Sequence, residues 1–276
     1  MAHRACAKAS EVRADGLVAF GGGSSIGLAK AVAKETGLPI LALPTTYAGS
    51  EMTSIWGLTE GGKKQTGRDP RVRPKTVLYD PELLLTLSQP AAGASGLNAI
   101  AHAMEALYAK DADPVTQLLA EESAAKLARH LPPSGARPEL SLALEALYGA
   151  WLAGVCLDQA RMGLHHKLCH VLGGTFGLPH AETHAVILPH VAAYNRDAAR
   201  AAMARLARAL EAEDAPAALF SLARRLGVPS SLDVLGMREE DLDTAAALVV
   251  ENPYPNPRSV DFASVRHLLG DAFRGK

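Results

Sequence analysis

Residues 17–25 read Leu-Val-Ala-Phe-Gly-Gly-Gly-Ser-Ser, and this stretch decides the first half of the fold. The four apolar residues at 17–20 predict a buried strand, and the glycines that follow predict a tight turn. Residues 26–36 are rich in alanine and leucine, with serine ahead of them and Gly37 behind, which predicts a capped helix. A strand, a glycine turn and a helix in this order indicate α/β structure.

Two more strands are predicted at residues 39–43 and 75–79, with a hairpin at 55–67 around Gly61-Gly62 between them. After Pro90, alanine, leucine and charged residues recur at helical spacing. We therefore predict a partial α/β dinucleotide-binding domain at 1–90 and an all-helical catalytic domain at 91–276. The predicted helices are 95–109, 114–130, 138–160, 165–176, 180–194, 197–211, 215–226, 238–250 and 262–273.

Composition excludes several classes of function. The 276 residues are 48% hydrophobic and 21% charged, which is globular composition for about two domains. With 28 Lys+Arg against 29 Asp+Glu, the net charge of -1 gives no field that would attract nucleic acid or a membrane surface. The apolar runs are shorter than a bilayer span, and the three cysteines are widely separated, so we expect a cytoplasmic protein that binds small molecules.

Two loops predict a site for a phosphate group. In the first, Gly22, Gly23 and Ser24 open a helix, where backbone N–H groups can approach an anion closely. The second follows the next strand at the same edge of the sheet, and its candidate cofactor-binding residues are Thr45, Thr46, Ser50 and Thr53. A glycine turn after a strand is also common in folds that bind nothing, and each loop alone has that simpler interpretation.

Three polar pairs are spaced four residues apart in predicted helices, so each pair shares a helix face. They are Asn98 with His102, His166 with His170, and His180 with His184. Imidazoles clustered in this way can hold a divalent metal or act as acid and base. A satisfied or solvated histidine remains the simpler interpretation of any one pair.

The motifs resemble, in order and spacing, those of iron-containing alcohol dehydrogenases, and particularly of the maleylacetate reductase branch. They lie at residues 21–24, 44–53, 67–71, 79–83, 96–105, 164–170 and 252–258. The resemblance covers the chain from about Asp15 and implies the dehydroquinate synthase-like architecture. Members carry further strands before the glycine turn, which this chain reaches by residue 21, so we expect an N-terminally shortened protein whose sheet has an exposed edge.

The resemblance assigns the family's metal-ligand positions to Asn98, His102, His166 and His180. The family has aspartate at the first of these positions. A neutral amide in its place should weaken binding of Fe²⁺ or Zn²⁺, so we expect that no metal is held.

The activity that the resemblance implies is NADH- or NADPH-dependent reduction of maleylacetate to 3-oxoadipate in the degradation of aromatic compounds. Its expected catalytic residues are His102, His166, His170 and His180. The dicarboxylate substrate calls for cations and hydroxyls, for which the candidates are Tyr47, Lys167 and Arg258, with Lys64 and Arg68 as further cations. A homodimer is also expected. Two alternatives stay open, namely a metal-dependent alcohol dehydrogenase of the same family and an inactive truncated homologue.

Overall fold

A computed structural model describes residues 1–60 and 63–276, together with the side chains outside 58–65. The Gly61-Gly62 turn of the predicted hairpin and the side chain of Lys64 lie outside the described residues. The elements of the first part are α1 (Ala2–Glu11), β1 (Leu17–Gly21), α2 (Gly23–Thr36), β2 (Ile40–Pro44), β3 (Ile55–Glu60), β4 (Lys63–Arg68) and β5 (Thr76–Val77).

A parallel sheet with strand order β1-β2-β5 forms the base of this part, and its register runs from Leu17 opposite Ile40 to Gly21 opposite Pro44. Helix α2 packs on one face, where its apolar side chains meet Ala19, Ile40 and Ala42. The helix ends at Gly37, whose φ of 74° is the left-handed conformation predicted for a C-cap. The α/β prediction is therefore confirmed, and β3 pairs with antiparallel β4 as the predicted hairpin.

The predicted strand at 75–79 is shorter in the structure, where β5 comprises Thr76–Val77. The N–H groups of Lys75 and Leu78 still donate to the carbonyls of Ile40 and Ala42. Extended backbone therefore continues on both sides of β5. A short helical turn at Pro81–Thr86 follows, because proline suits the first position of such a turn.

Strand β1 lies at the edge of the sheet, and among the described residues only β2 pairs with it. Val18 and Phe20 are 69% and 58% exposed, because no element of the described part of the chain covers the outer face of this strand. An apolar edge strand with unpaired backbone groups is a template for pairing with another chain. The exposed edge expected from the sequence is thus present.

The remainder of the described chain is helical after β5, in agreement with the predicted class. Helix α3 begins at Gln89 rather than near residue 95, because Pro90 fits the first turn of a helix. The predicted helices at 197–211 and 238–250 are each shorter, and the second is preceded by a 3-10 turn. The helices are α3 (Gln89–Tyr108), α4 (Pro114–His130), α5 (Leu140–Gln159), α6 (Leu164–Phe176), α7 (His180–Asn195), α8 (Arg200–Ala209), α9 (Ala215–Leu226), α10 (Leu242–Glu251) and α11 (Phe262–Arg274). The division into domains at residue 90 stays a prediction.

Helix α3 is the centre of the helical part, since every residue from 92 to 107 is buried. It packs against α4, α5 and α7. Helix α5 is long and apolar enough to cross a membrane by length and composition. It packs against α3 and α4 here, and 56% of its apolar window is buried, as in the core helix of a globular protein.

Replacing Val18 by lysine should reduce self-association of the 276-residue chain. A charge on an edge strand opposes pairing with a second edge, while a solvent-facing substitution changes the free energy of unfolding by only about 0.5 kcal/mol. Sedimentation velocity over a range of protein concentrations measures the effect. The control is Val115→Lys, at a valine 63% exposed in α4. An equal change in both variants would contradict a role for the edge.

Candidate active site

The two predicted cofactor loops meet at the carboxyl ends of β1 and β2. The N–H of Thr45 donates to the carbonyl of Gly21 at 3.2 Å. A Cβ atom at Gly22 would lie 2.9 Å from Thr46 Cγ2, so only glycine allows the loops to approach this closely. Gly23 and Ser24 are exposed at the start of α2, where free backbone N–H groups can bind an anion.

The second loop continues into a buried hydrogen-bond cluster around Lys30 of α2, a residue that the sequence analysis missed. Its ammonium nitrogen lies 2.7–2.8 Å from the carbonyl oxygens of Ser50, Thr53 and Ile55 and from Thr53 Oγ1, which share its three N–H donors. Burial lowers the pKa of Lys30 to about 8, against the attraction of Glu51. Thr53 is 1% exposed, and its hydroxyl is engaged here rather than open to a cofactor. A cofactor contact of Ser50 stays a prediction.

The predicted catalytic histidines converge between α3, α6 and α7. His102 Nδ1 lies 2.8 Å from His166 Nε2, and the two rings stack with centroids 4.9 Å apart. The ring of His170 is 6.1 Å from that of His166. His180 joins the group through His184, whose ring lies 4.4 Å from His180 and 5.1 Å from His166.

Glu105, one turn after His102 on α3, anchors this cluster from inside the protein. Its side chain is fully buried and accepts hydrogen bonds from the N–H groups of Gly163 and His165, at 2.7 and 2.8 Å. The hydroxyl of Tyr108 donates to it at 3.2 Å. His166 Nδ1 lies 2.6 Å from Oε2, so the carboxyl group sets the orientation of that ring.

Burial disfavours the charged form of every group in this chain. It raises the pKa of Glu105 to about 7, lowers that of His166 to about 3, and lowers that of His102 well below 6.5. One assignment of hydrogens satisfies every contact with neutral groups. The Glu105 carboxyl donates to His166 Nδ1, His166 Nε2 donates to His102 Nδ1, and His102 Nε2 donates to the carbonyl of Ala48 at 3.3 Å.

Tyr254 lies at the opposite side of the cluster, on the loop between α10 and α11, and it too was missed from the sequence. Its hydroxyl is 3.3 Å from His170 Nδ1. The ammonium group of Lys167 lies 5.8 Å from the centre of the Tyr254 ring. Lys167 and His170 are three residues apart on α6 and share a helix face, and both lie next to the Tyr254 side chain.

The other substrate candidates have partners within the protein. Arg258 stacks on the Tyr194 ring at 4.2 Å and donates to the Tyr194 carbonyl at 3.4 Å. Arg68 binds Asp158 and the carbonyls at the end of α5, and its role as a substrate cation stays a prediction. Tyr47 is 2% exposed, and burial raises its pKa to about 12. A substrate contact of Tyr47 or Arg258 stays a prediction.

A metal ion does not fit the four family-equivalent positions in this arrangement. All four ring nitrogens of His102 and His166 already take part in hydrogen bonds, to each other, to Glu105 and to Ala48. Asn98 supplies a neutral amide, whose buried Oδ1 has no hydrogen-bond partner among the described residues. The donor set therefore lacks the negative charge of the family's aspartate, and a metal ion would have to displace the hydrogen bonds of both His102 and His166.

Family comparisons cover nearly the whole chain. The iron-containing alcohol dehydrogenase model matches residues 1–81, and the C-terminal model of the Fe-containing alcohol dehydrogenase family matches residues 92–273. The chain belongs to the iron-containing alcohol dehydrogenase family. The similarity starts at residue 1, so the expectation that it begins near Asp15 is wrong. The residues before Asp15 form α1, which packs on α2 within the family's first domain.

The names of individual relatives are more specific than the family models. The chain is 56% identical to maleylacetate reductase of Burkholderia cepacia and 54% identical to that of Sphingobium indicum, over 100% and 98% of its length. It aligns with the crystal structure of maleylacetate reductase from Agrobacterium tumefaciens at 47% identity and a TM-score of 0.95, covering 99% of this chain and 78% of that one. It spans 78% and 77% of the two sequence relatives.

The unfolding free energy should fall as the pH drops below 6.5. Burial lowers the pKa of His102, His165, His166 and His184, so each binds protons more readily in the unfolded chain. The stability that these histidines contribute is fully present above pH 6.5 and is lost as the pH falls to the pKa of the folded state, which is about 3 for His166. The loss is about 1.4 kcal/mol per histidine for each pH unit. Urea unfolding at pH 7 and pH 5 measures this loss.

Two buried carboxyl groups have the opposite effect on the pH dependence of the unfolding free energy in part of the acidic range. Burial raises the pKa of Glu51 and Glu105, so their contribution is present below 4.5 and is lost as the pH rises, through about 7 for Glu105. Four histidines outweigh two carboxyls, and the net loss on acidification remains. His165→Gln should flatten the pH profile, while His267→Gln, at an exposed histidine, should leave it unchanged. A flat native profile would contradict the neutral cluster.

Replacing Asn98 by aspartate should tighten binding of Zn²⁺. The substitution returns a carboxylate to the position where the family has one. The added negative charge strengthens metal binding relative to the hydrogen bonds that now occupy the ring nitrogens of His102 and His166. We expect at least a tenfold lower Kd in calorimetric titration, on the order of a single charged-ligand effect. Asn195→Asp, at a buried asparagine bonded to Asn256, is the control. Equal affinity in native and Asn98→Asp protein would place the metal elsewhere.

Proposed function

We propose that this chain reduces maleylacetate to 3-oxoadipate with a nicotinamide cofactor. The observation that carries the proposal is a closed hydrogen-bond chain of Glu105, His166 and His102 where the family holds a metal ion. The chain is an oxidoreductase by its family, and its relatives at 51–56% identity are maleylacetate reductases. Neutral hydrogen-bond donors suit an acceptor whose double bond is already activated.

The substrate explains why such donors suffice. Hydride from NADH or NADPH adds to the alkene carbon that is β to the ketone, and the electron pair moves to the ketone oxygen as an enolate. A proton then adds to the α carbon, which balances the reduction. The enolate needs hydrogen-bond donors and a proton source rather than a strong Lewis acid.

Four histidines are proposed for these tasks. His170, held by the Tyr254 hydroxyl, is the proposed donor to the enolate or to the carbon that is protonated. His166 and His102 carry hydrogens along the chain from Glu105, and His180 shapes the same pocket. Lys167, next to the Tyr254 ring, is the proposed partner for a substrate carboxylate.

The cofactor is proposed to bind at the glycine turn. The exposed start of α2 at Gly23 and Ser24 would bind its pyrophosphate, with Thr45 and Thr46 from the adjoining loop. Both NADH and NADPH fit this proposal. We further propose a homodimer acting in the cytoplasm, in keeping with the expected assembly and with three free cysteines.

Purified protein should oxidise NADH or NADPH when maleylacetate is added, and excess EDTA should leave the rate unchanged. Absorbance of the reduced nicotinamide follows the reaction, with circular dichroism as the check on folding. Turnover that EDTA abolishes would instead support the metal-dependent alcohol dehydrogenase. A folded protein without turnover, with or without EDTA, would support the inactive homologue.

Tyr254→Phe should lower kcat by up to about tenfold, because the variant keeps the ring beside Lys167 but removes one hydrogen bond to His170. Tyr148→Phe is the matched control, at a tyrosine 43% exposed in α5. His170→Ala should lower kcat by a factor of about 100 or more, as expected for loss of a proton donor. Native kcat in His170→Ala would remove that residue from the mechanism.

A further inference from the structure

Next to the catalytic histidines, two further histidines and a cysteine converge in the core. His165 and Cys169 are one turn apart on α6, and His184 reaches them from α7. Their exposed fractions are 0%, 1% and 0%. One donor atom from each, two imidazole nitrogens and the thiol sulfur, lies within 4.8 Å of the other two.

The spacing of these atoms is close to that of a tetrahedral metal site. His165 Nε2 lies 3.7 Å from Cys169 Sγ and 2.9 Å from His184 Nδ1. Around Zn²⁺, bonds of about 2.3 Å to sulfur and about 2.0 Å to nitrogen place such atoms about 3.5 Å and about 3.3 Å apart. The sulfur distance already fits, and the two nitrogens need to separate by only a few tenths of an ångström.

We propose that His165, Cys169 and His184 bind a thiophilic divalent cation such as Zn²⁺ or Cd²⁺. Binding replaces the hydrogen bond between the two rings, and the ring hydrogen on that bond moves to the outer nitrogen of its own ring. The thiol loses its proton to solvent as the metal–sulfur bond forms. Three protein donors leave one coordination position open.

This site differs in chemistry from the family-equivalent positions. Those positions offer three imidazoles and an amide, whereas here a thiolate is one of three donors. Sulfur selects soft cations, and imidazole accepts the same ions. A spectroscopic signal from metal–sulfur bonding therefore distinguishes the two places, and it does so whether or not the chain reduces maleylacetate.

The test is a titration of the full chain with Co²⁺, followed by absorption in the near ultraviolet. Native protein should develop a thiolate-to-cobalt charge-transfer band that saturates at one Co²⁺ per chain. Cys169→Ser should lose the band, and Co²⁺ affinity should fall by on the order of tenfold or more. His184→Gln should weaken binding in the same way while circular dichroism shows a folded protein.

Two cysteine variants serve as controls. Cys6→Ser, in α1, and Cys156→Ser, at a buried thiol that contacts the Thr116 carbonyl, should both keep the native band. A native protein without the band would overturn the proposal, as would a band that survives Cys169→Ser. If Cys169→Ser does not fold, ¹¹³Cd NMR of the native protein decides instead. One thiolate with nitrogen ligands supports the site, and a shift typical of nitrogen and oxygen ligands alone refutes it.

Discussion

Glu105 carries a carboxyl group into a region that no water reaches, and its need for hydrogen-bond partners governs how the surrounding segments lie. Gly163 and His165 supply N–H groups from the start of α6, Tyr108 supplies a hydroxyl from α3, and His166 supplies a ring nitrogen. An unsatisfied buried polar group costs about 1–3 kcal/mol, so α6 can begin only where these contacts are made. The position of His166, and through it that of His102, follows from this constraint.

The cluster built on Glu105 is polar, and burial disfavours charge on each of its groups, which matches the chemistry proposed for it. An ionised group at this depth would need a partner of opposite charge, and at the position of the family's aspartate the chain has Asn98. Hydrogen bonds between neutral groups then take the place of coordination bonds. Such a network can stabilise an enolate, whose charge is spread over several atoms, while the polarisation of an unconjugated ketone would require more.

Much of the fold could be predicted from periodicity, because strands and amphipathic helices have distinct patterns and glycine or proline marks their ends. The histidines could be predicted as a group from their four-residue spacing. Lys30 and Glu105 could not, since a charged residue in a helix normally indicates a solvated face, and only the tertiary structure shows them buried. Tyr254 is more than 80 residues from His170 along the chain, and no local pattern predicts that contact.

The carbonyl groups around Lys30 have a further consequence for local stability. The ammonium group ties the segment from Ser50 to Ile55 to the middle of α2 through four acceptors at once. Opening that segment alone would break all of these contacts to the ammonium group at once. Its amide hydrogens should therefore exchange with solvent only when α2 also opens, so loop and helix form one cooperative unit although they are separate in the sequence.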